Sequence, residues 1–228
     1  MKLTYIKEFC LFFDIMLTML IGLVCLGATI PFMGSGSTWI ALLIGMLAYA
    51  LSEYVIHRFL FHLKPPRNAF LLKMLKRLHY DHHVEPENVK LLFLPVWYSF
   101  PLIFIAGCLG FAITSELSLA VATVTGVIFY MLYYEWVHYR AHRPIKPITP
   151  WGRYMKKIHL WHHFKNEHFW FGVTNPVIDM ACGTYKDEKT VTRSDTVRDL
   201  EKGSLDSPSS PSSPSSSGSP SSSGSPPS

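Results

Sequence analysis

The sequence predicts an all-α, polytopic membrane protein with four transmembrane helices and a cytosolic helical cap that holds a dinuclear metal site. Three observations support this: long stretches without charge, basic residues confined to one side, and clustered histidines. Only 16% of the 228 residues are charged, against about 25% in average soluble domains. This composition excludes an ordinary soluble domain, a disordered chain and a nucleic-acid-binding protein, although the net charge is +5.

The uncharged stretches give the positions of the spans. No Asp, Glu, Lys or Arg occurs in residues 15–52, 91–115 or 117–134, and a spanning helix needs about 20 mostly apolar residues. The first stretch is long enough for two spans separated by the turn sequence PFMGSGST. Four spans are therefore predicted at about residues 9–30, 38–59, 91–113 and 117–137. Pro95 and Pro101 predict a kink or a late helix start in the third span.

The basic residues predict the orientation. The short loops at residues 31–37 and 114–116 contain no Lys or Arg, so all 21 basic residues lie on the other side of the four spans. Because basic residues are retained on the cytoplasmic side, we expect both termini and the 60–90 loop to be cytosolic. The predicted location is a multi-pass protein of the endoplasmic reticulum or of a bacterial inner membrane.

The remaining segments predict a cap and a tail within this organisation. Residues 68–83 and 151–163 have apolar residues at helical spacing among Lys and Arg, which is typical of helices on a membrane surface or over a helical bundle. The cap is expected at 60–90 and 138–186, and residues 1–203 are expected to form one membrane-integral domain. Residues 204–228 are almost purely Ser, Pro and Gly and are expected to be disordered.

Ten of the eleven histidines fall into four clusters, with the sequences HRFLFH, HYDHH, HYRAH and HLWHH. The clusters form an internal repeat. His62 precedes His79 by 17 residues, just as His142 precedes His159, and LKRLHYDHH aligns with MKKIHLWHH at an offset of 80. Two equivalent halves are well suited to build one site between them.

The spacing within each cluster indicates metal binding. Residues i, i+3 and i+4 share a helix face, so each HxxHH presents three imidazoles on one side. His57 and His62 are about 140° apart on an ideal helix, and they converge only if the helix ends or bulges between them. Neutral imidazole is a common ligand of borderline transition metals, and ten imidazoles suit two ions. No Cys lies nearby, which argues against structural zinc.

Several carboxylates are predicted to support the histidines. Glu53 precedes His57 by one turn, and Glu135 precedes His138 by three residues. Metal-bound histidines usually donate their second N–H to a carboxylate or a carbonyl, although a glutamate at a helix end can also simply extend to water. The predicted supporting set is Glu53, Glu135, Asp81, Glu167 and Asp179.

The pattern HX4H, HX2HH, HX3H, HX2HH resembles the membrane fatty acid hydroxylase/sterol desaturase superfamily. Within it, the chain is most similar to the fatty acid 2-hydroxylases, through HRFLFH at 57–62 and through the segment 162–185 with FGVT, Asp179 and the closing GTY. The resemblance covers roughly residues 50–186. It implies O₂-dependent hydroxylation at carbon 2 of a long-chain fatty acid or fatty acyl lipid by a non-haem di-iron centre.

The resemblance also implies a ligand set, cofactors and partners. Iron is expected at both sites, although zinc would suit the ligands and a purified sample could contain it. Electrons are expected from a separate redox partner, of the cytochrome b5 type or a ferredoxin with its reductase. No catalytic residue is assigned beyond the ligands, and His168 falls outside the pattern. The implied ligands are His57, His62, His79, His82, His83, His138, His142, His159, His162 and His163.

Four aromatic residues near the histidines are candidates for a channel that binds the tail of a membrane lipid substrate. They are Tyr54, Phe59, Tyr134 and Trp136. Ordinary interfacial aromatics are an equally good interpretation of these residues. Two alternative functions remain open: a sterol desaturase, sterol oxidase or carotenoid hydroxylase of the same superfamily, and, more distantly, a histidine-rich metal transporter.

Overall fold

The computed structural model describes residues 3–202, and this part of the chain contains helices and no strand. The Ser/Pro/Gly tail predicted at 204–228 lies outside the described residues. Two π-helices, His57–Phe61 and Lys76–Tyr80, accompany the α-helices. The α-helices are α1 (Leu3–Cys10), α2 (Phe13–Thr29), α3 (Gly36–Ile56), α4 (Ala69–Leu75), α5 (Asp81–Val84), α6 (Val89–Leu92), α7 (Val96–Thr114), α8 (Leu117–His142), α9 (Pro150–Phe164) and α10 (Val177–Ala181).

Four helical segments are long and apolar enough to cross a membrane, which confirms the predicted number of spans. They are Phe13–Phe32, Gly36–Phe61, Val89–Thr114 and Leu117–His142. Large apolar side chains on their outer surfaces, such as Leu23 and Phe104, are more than half exposed, as expected for helices surrounded by lipid. The all-helical architecture therefore places four spans beneath the shorter helices α4, α5 and α9.

The boundaries of all four spans differ from the prediction by one to five residues, and the third and fourth spans show the cause. α8 continues to His142, five residues beyond the predicted end at 137, because the histidine cluster extends the same helix toward the cap. Pro95 lies immediately before α7, whereas Pro101 lies inside it. α7 thus begins late in the third span, directly after Pro95. At this helix start, the backbone N–H of Val96 donates to Asp14 Oδ1 at 2.8 Å.

α8 is the central helix, and it packs against α2, α3 and α7. Its contact with α3 is made through glycines. A Cβ atom added to Gly45 would lie 2.0 Å from the Thr123 carbonyl oxygen, and one added to Gly126 would lie 2.1 Å from the Leu42 carbonyl oxygen. Small residues let membrane helices approach backbone to backbone. This close approach brings the cap-side ends of α3 and α8, with their histidines, next to each other.

We expect Gly45→Ala to destabilise the protein, because the added methyl group meets backbone atoms that no rotamer change can move. A cost of at least about 1–3 kcal/mol is typical of such overpacking, and it should lower the midpoint of thermal unfolding in detergent. Gly27→Ala is the matched control, since a Cβ atom added there would have no atom of another helix within 4 Å. Equal midpoints for the two variants would contradict the close packing of α3 on α8.

Candidate metal centre

The first histidine pair is brought together by a π-helix. The α-helix α3 continues as a π-helix over His57–Phe61. Here the backbone N–H of His62 donates to the carbonyl oxygen of His57, five residues earlier, at 3.2 Å. The two rings consequently lie only 5.1 Å apart, centroid to centroid. This is the bulge that the five-residue spacing required, and π-bulges occur frequently at functional sites.

The ten histidines form two groups of five, and all are buried except the half-buried His62. In each group, one ligating atom from every residue lies within 4.8 Å of all the others. The first histidine group contains His57, His62, His79, His83 and His162. The second histidine group contains His82, His138, His142, His159 and His163. The predicted clusters thus converge on two adjacent sites.

Each half of the repeat gives one histidine to the other group. His82 comes from the first half but belongs to the second group, and His162 comes from the second half but belongs to the first. Helical geometry permits this, since residue i+3 points about 100° away from residue i+4, and the docking of the two halves decides which group each ring joins. The three imidazoles of an HxxHH motif therefore divide between the two groups, whereas the shared helix face had predicted that they point the same way.

Backbone carbonyls determine the tautomers of four histidines. Nδ1 of each ring lies within hydrogen-bond distance of a carbonyl oxygen, which only accepts, so Nδ1 carries the proton and Nε2 presents a lone pair. The pairs are His57 with Phe171 at 2.5 Å, His83 with Val197 at 2.9 Å, His138 with Leu92 at 3.1 Å and His162 with Phe169 at 2.8 Å. Their Nε2 atoms all point into the histidine groups.

The facing nitrogens fit a bound cation. His79 Nε2 lies 3.2 Å from His57 Nε2 and 3.0 Å from His83 Nε2, and its single proton satisfies only one of these lone pairs. Both ring nitrogens of His163 are buried without a hydrogen-bond partner in the described structure. A positive ion at each group would satisfy these nitrogens, and an all-imidazole set suits a borderline transition metal.

Burial keeps the cap imidazoles neutral, as ligands must be. Desolvation lowers the pKa of His83 to about 3. Burial also lowers the pKa of His163 well below its ordinary value, and the neighbouring imidazoles lower it further. The same causes, with burial the largest, act on His62, His79, His82, His159 and His162. Neutral rings need no deprotonation before they bind a metal.

Two buried carboxylates hold the loop that orients His57. Glu53 accepts hydrogen bonds from the backbone N–H groups of Val173 and Thr174 at 2.6 and 2.8 Å. Asp179 accepts from the N–H groups of Phe171 and Gly172 at 2.8 and 2.7 Å. These bonds fix the FGVT loop, whose Phe171 carbonyl oxygen accepts the hydrogen bond from His57 Nδ1.

Gly172 of this loop has no room for a side chain. A Cβ atom on Gly172 would lie 2.1 Å from the Asn175 carbonyl oxygen and 2.8 Å from Asp179 Oδ2. Any other residue would push the loop away from the carboxylate that anchors it. A glycine at position 172 therefore allows the loop to stay on Asp179, so that the Phe171 carbonyl can orient His57.

The second half of the repeat contains the same arrangement. Glu135 accepts a hydrogen bond from the Leu94 N–H at 3.1 Å, and the Leu92 carbonyl, two residues earlier, accepts from His138 Nδ1. In each half, a buried glutamate one turn before a histidine anchors the segment whose carbonyl orients that histidine. The duplication of this arrangement follows the repeat seen in the sequence.

Comparison with known proteins places this site in a family. The family model described as fatty acid hydroxylase matches residues 42–184, which include both histidine groups. The chain belongs to the fatty acid hydroxylase family. The hydroxylase domain visible in a structure of full-length scs7p superimposes with a TM-score of 0.69 at 29% identity, covering 77% of this chain and 66% of that one.

Curated relatives include two proteins named as 2-hydroxylases and one named as a ceramide fatty acid hydroxylase. The chain is 36% identical to the fatty acid 2-hydroxylase of Rattus norvegicus, over 60% of this chain and 37% of the relative. It is 31% identical to the dihydroceramide fatty acyl 2-hydroxylase FAH2 of Arabidopsis thaliana, over 61% and 58%. It is 36% identical to the ceramide very long chain fatty acid hydroxylase SCS7 of Saccharomyces cerevisiae, over 62% and 37%. The chain thus matches between about one third and three fifths of the length of these relatives.

The predicted supporting carboxylates do not contact the ten histidines through hydrogen bonds within residues 3–202. Glu53, Glu135 and Asp179 act through backbone segments, as described above. Asp81 forms a half-exposed ion pair with Lys76 at 3.3 Å. Glu167 accepts from the hydroxyl of Ser194 at 2.9 Å, and it lies 3.4 Å from the exposed His168, which stands outside both groups.

The predicted channel aromatics are separated by the structure. Tyr134 lines an apolar cavity beneath the histidines, whereas the other three do not line it. Tyr54 is buried and bonded to Thr184 at 2.9 Å, Phe59 is 60% exposed, and Trp136 packs at 5.1 Å against Phe9 on the other side of α8. Sequence reasoning missed Phe61 and Tyr98 of the cavity, although Phe61 lies within the HRFLFH cluster.

We expect Glu53→Ala to lower metal content at the first histidine group. Without the carboxylate, the FGVT loop loses the hydrogen bonds from the Val173 N–H and from the N–H and the hydroxyl of Thr174. The Phe171 carbonyl is then held less firmly against His57. Loss of such outer partners typically weakens metal affinity about 10- to 100-fold. Elemental analysis of purified protein measures the effect, with Glu116→Ala, an exposed glutamate far from the site, as the control. Equal metal content in both variants would contradict this role of Glu53.

Proposed function

We propose that the protein hydroxylates lipid acyl chains, at carbon 2 of a long-chain fatty acid or fatty acyl lipid. The observation that carries this proposal is an apolar cavity that one aromatic ring separates from each histidine group. The cavity has a volume of about 240 Å³ and lies between α3, α7 and α8. An aliphatic chain is the ligand that suits such a lining, because it requires burial and almost no hydrogen bonds.

Two aromatic rings connect the cavity to the histidines. Phe61 lines the cavity and stacks on His79 of the first group, with ring centroids 5.3 Å apart. Tyr134 also lines it and stacks on His138 of the second group, with centroids 5.8 Å apart. A chain in the cavity would therefore end directly beneath the two proposed metal ions.

The opposite part of the cavity reaches the lipid-facing surface. Its lining includes Ala48 of α3 and Leu102, Ile105 and Leu109 of α7, all of which are exposed. An acyl chain can therefore enter sideways from the bilayer between α3 and α7. From Tyr98 to Leu109, α7 rises by about 16 Å, which gives the cavity an elongated form along the span.

Tyr98 contributes a polar group to this lining. The Tyr98 hydroxyl is buried and has no hydrogen-bond partner among the described residues, and its ring lies 5.9 Å from that of Phe61. An unpaired buried hydroxyl is costly, and the carbonyl group of a bound acyl chain would satisfy it. Such a contact would keep the carbonyl, and hence carbon 2, near the histidines.

The ten histidines are proposed as ligands of two iron ions, although zinc would also suit them. Acid–base catalysis cannot cleave an unactivated C–H bond, so a bound redox metal would supply the activation of O₂. The protein's own residues hold neutral imidazoles in place, exclude water by burial and align the acyl chain. Electrons are proposed to come from a separate donor protein, of the cytochrome b5 or ferredoxin type.

The proposed orientation places the cap and both termini in the cytosol. Among the described residues, Lys and Arg are absent from the segments that join α2 to α3 and α7 to α8. The positive-inside rule then assigns the opposite side to the cytosol, in the endoplasmic reticulum or in a bacterial inner membrane.

The structure favours this function over the alternatives. Relatives named as fatty acid or fatty acyl hydroxylases favour an acyl chain over a sterol or a carotenoid. A metal transporter would hold its ions near the middle of the bilayer, whereas these histidines lie at the cap-side ends of α3 and α8 and on the cap helices.

We expect His162→Ala to abolish hydroxylation, because it removes one of five ligands from the first group. Cells that express the protein under ¹⁸O₂ should gain one labelled oxygen at carbon 2 of their acyl lipids, and the variant should show none. His168→Ala is the matched control, since this exposed histidine belongs to neither group. Full activity of His162→Ala, or label on a sterol or carotenoid instead, would overturn the proposal.

We expect Ala106→Phe to shift the products toward shorter acyl chains, since the larger side chain fills the cavity below the histidines. The expected change is a several-fold fall in the ratio of long to short hydroxylated chains. Cys108→Phe is the control, because that residue lies on the same helix but lines a different groove. An unchanged chain-length profile in Ala106→Phe would show that the acyl chain binds elsewhere.

A further inference from the structure

The last described part of the chain, residues 191–202, lies against the cap next to the first histidine group. We name it the C-terminal strap. It follows the region that the family model matches, which ends at residue 184. We propose that the strap positions His83, and that the first metal centre keeps its ion only while the strap is in place. This inference rests on the metal centres proposed above.

The strap contributes one carbonyl to the support of the histidines. The Val197 carbonyl oxygen lies 2.9 Å from His83 Nδ1, and the Val197 side chain is only 1% exposed. The three other carbonyls that orient histidines, at Leu92, Phe169 and Phe171, lie inside the matched region. His83 therefore depends on a segment that is remote in sequence and that lies outside the family match.

Arg198 ties the strap to the helix that carries His83. Its guanidinium donates to the carbonyl oxygens of His83 and Val84 at 2.9 and 2.7 Å. These carbonyls lie at the C-terminal end of α5, where backbone acceptors have no helical partner. The same guanidinium lies 4.9 Å from the ring centroid of Phe164, the last residue of α9. One side chain thus joins the ends of two cap helices.

Further bonds hold the two ends of the strap. The Ser194 N–H donates to the Lys165 carbonyl at 2.8 Å, and the hydroxyls of Ser194 and Thr196 both donate to the buried carboxylate of Glu167. Near its other end, Glu201 forms an ion pair with Lys76 at 2.9 Å. Glu167, which was predicted to support the histidines, thus contacts the strap and none of the ten clustered histidines.

His83 occupies a position where its orientation matters. Its ring stacks on His163 of the second group, with centroids 4.1 Å apart, so it lies at the boundary between the two groups. Without the Val197 carbonyl, Nδ1 has no acceptor and the ring loses both its tautomer and its rotation. Weaker binding at the first centre follows directly, whereas the second centre keeps all five of its histidines.

Arg198→Ala in the full-length protein tests the inference. The probe is Co²⁺, with bound metal counted by elemental analysis and its coordination followed by visible absorption. We expect two ions in the unmodified protein and a 10- to 100-fold weaker affinity for one of them in the variant. Arg193→Ala is the matched control, because Arg193 lies on the strap but is exposed. Arg198→Lys, which retains a single donor group, should be intermediate.

Two double variants, each retaining only one histidine group, show which centre loses its metal when Arg198 is replaced. Replacing His142 and His159 by alanine leaves only the first centre, and Arg198→Ala should then release the remaining ion. Replacing His62 and His79 leaves only the second centre, and Arg198→Ala should then have no effect. If Arg198→Ala prevents folding, Ser194→Ala with Thr196→Val loosens the strap without touching α5, and the smaller loss should fall on the same centre.

The outcomes separate the two proposals. An unmodified protein that binds no cobalt overturns the metal centres themselves. Two bound ions with equal affinities in Arg198→Ala and in the unmodified protein overturn the strap and leave the centres standing. An equal loss at both centres also overturns the strap inference, since it indicates general destabilisation.

Discussion

Ten imidazole rings lie so close together that their nitrogen lone pairs face one another. Most of the cap packs around these rings and fixes their positions. At 2.8–3.2 Å between ring nitrogens, neutral rings that share too few protons repel, and burial prevents them from becoming charged. Two cations would resolve the conflict, and the surrounding protein acts to keep the rings in place until they are bound. The glycine contact between α3 and α8, the π-helix and the carbonyl acceptors all serve that one requirement.

The carbonyl acceptors show how the support is distributed. Each half of the repeat uses a buried glutamate to hold a backbone segment, and that segment in turn holds a histidine of the span. A carboxylate bonded directly to a histidine would bring a negative charge next to the metal, whereas a carbonyl orients the ring without adding a full charge. Imidazole and carbonyl groups without a full charge therefore surround the facing ring nitrogens, next to the apolar cavity between α3, α7 and α8.

Much of this could be predicted from the sequence. Charge-free stretches predicted four spans, because a spanning helix excludes charge over about 20 residues, and the clustering of the histidines predicted that ten imidazoles converge. The distribution of His82 and His162 between the groups was not predictable, since i, i+3 and i+4 share a face and only the docking of the two halves decides where each ring points. Val197 was missed because it contributes a backbone carbonyl, which every residue has. Trp136 was proposed for the channel from its proximity in sequence, but it lies on the opposite side of α8.

The division of each HxxHH motif between the groups has a consequence for how the protein is made. During synthesis the first two spans emerge and insert long before residue 162 leaves the ribosome, so four rings of the first group wait for a fifth that is about 80 residues away. The reverse holds for the second group, whose early member is His82. Neither histidine group can therefore form before both halves of the repeat have been synthesised and have packed together.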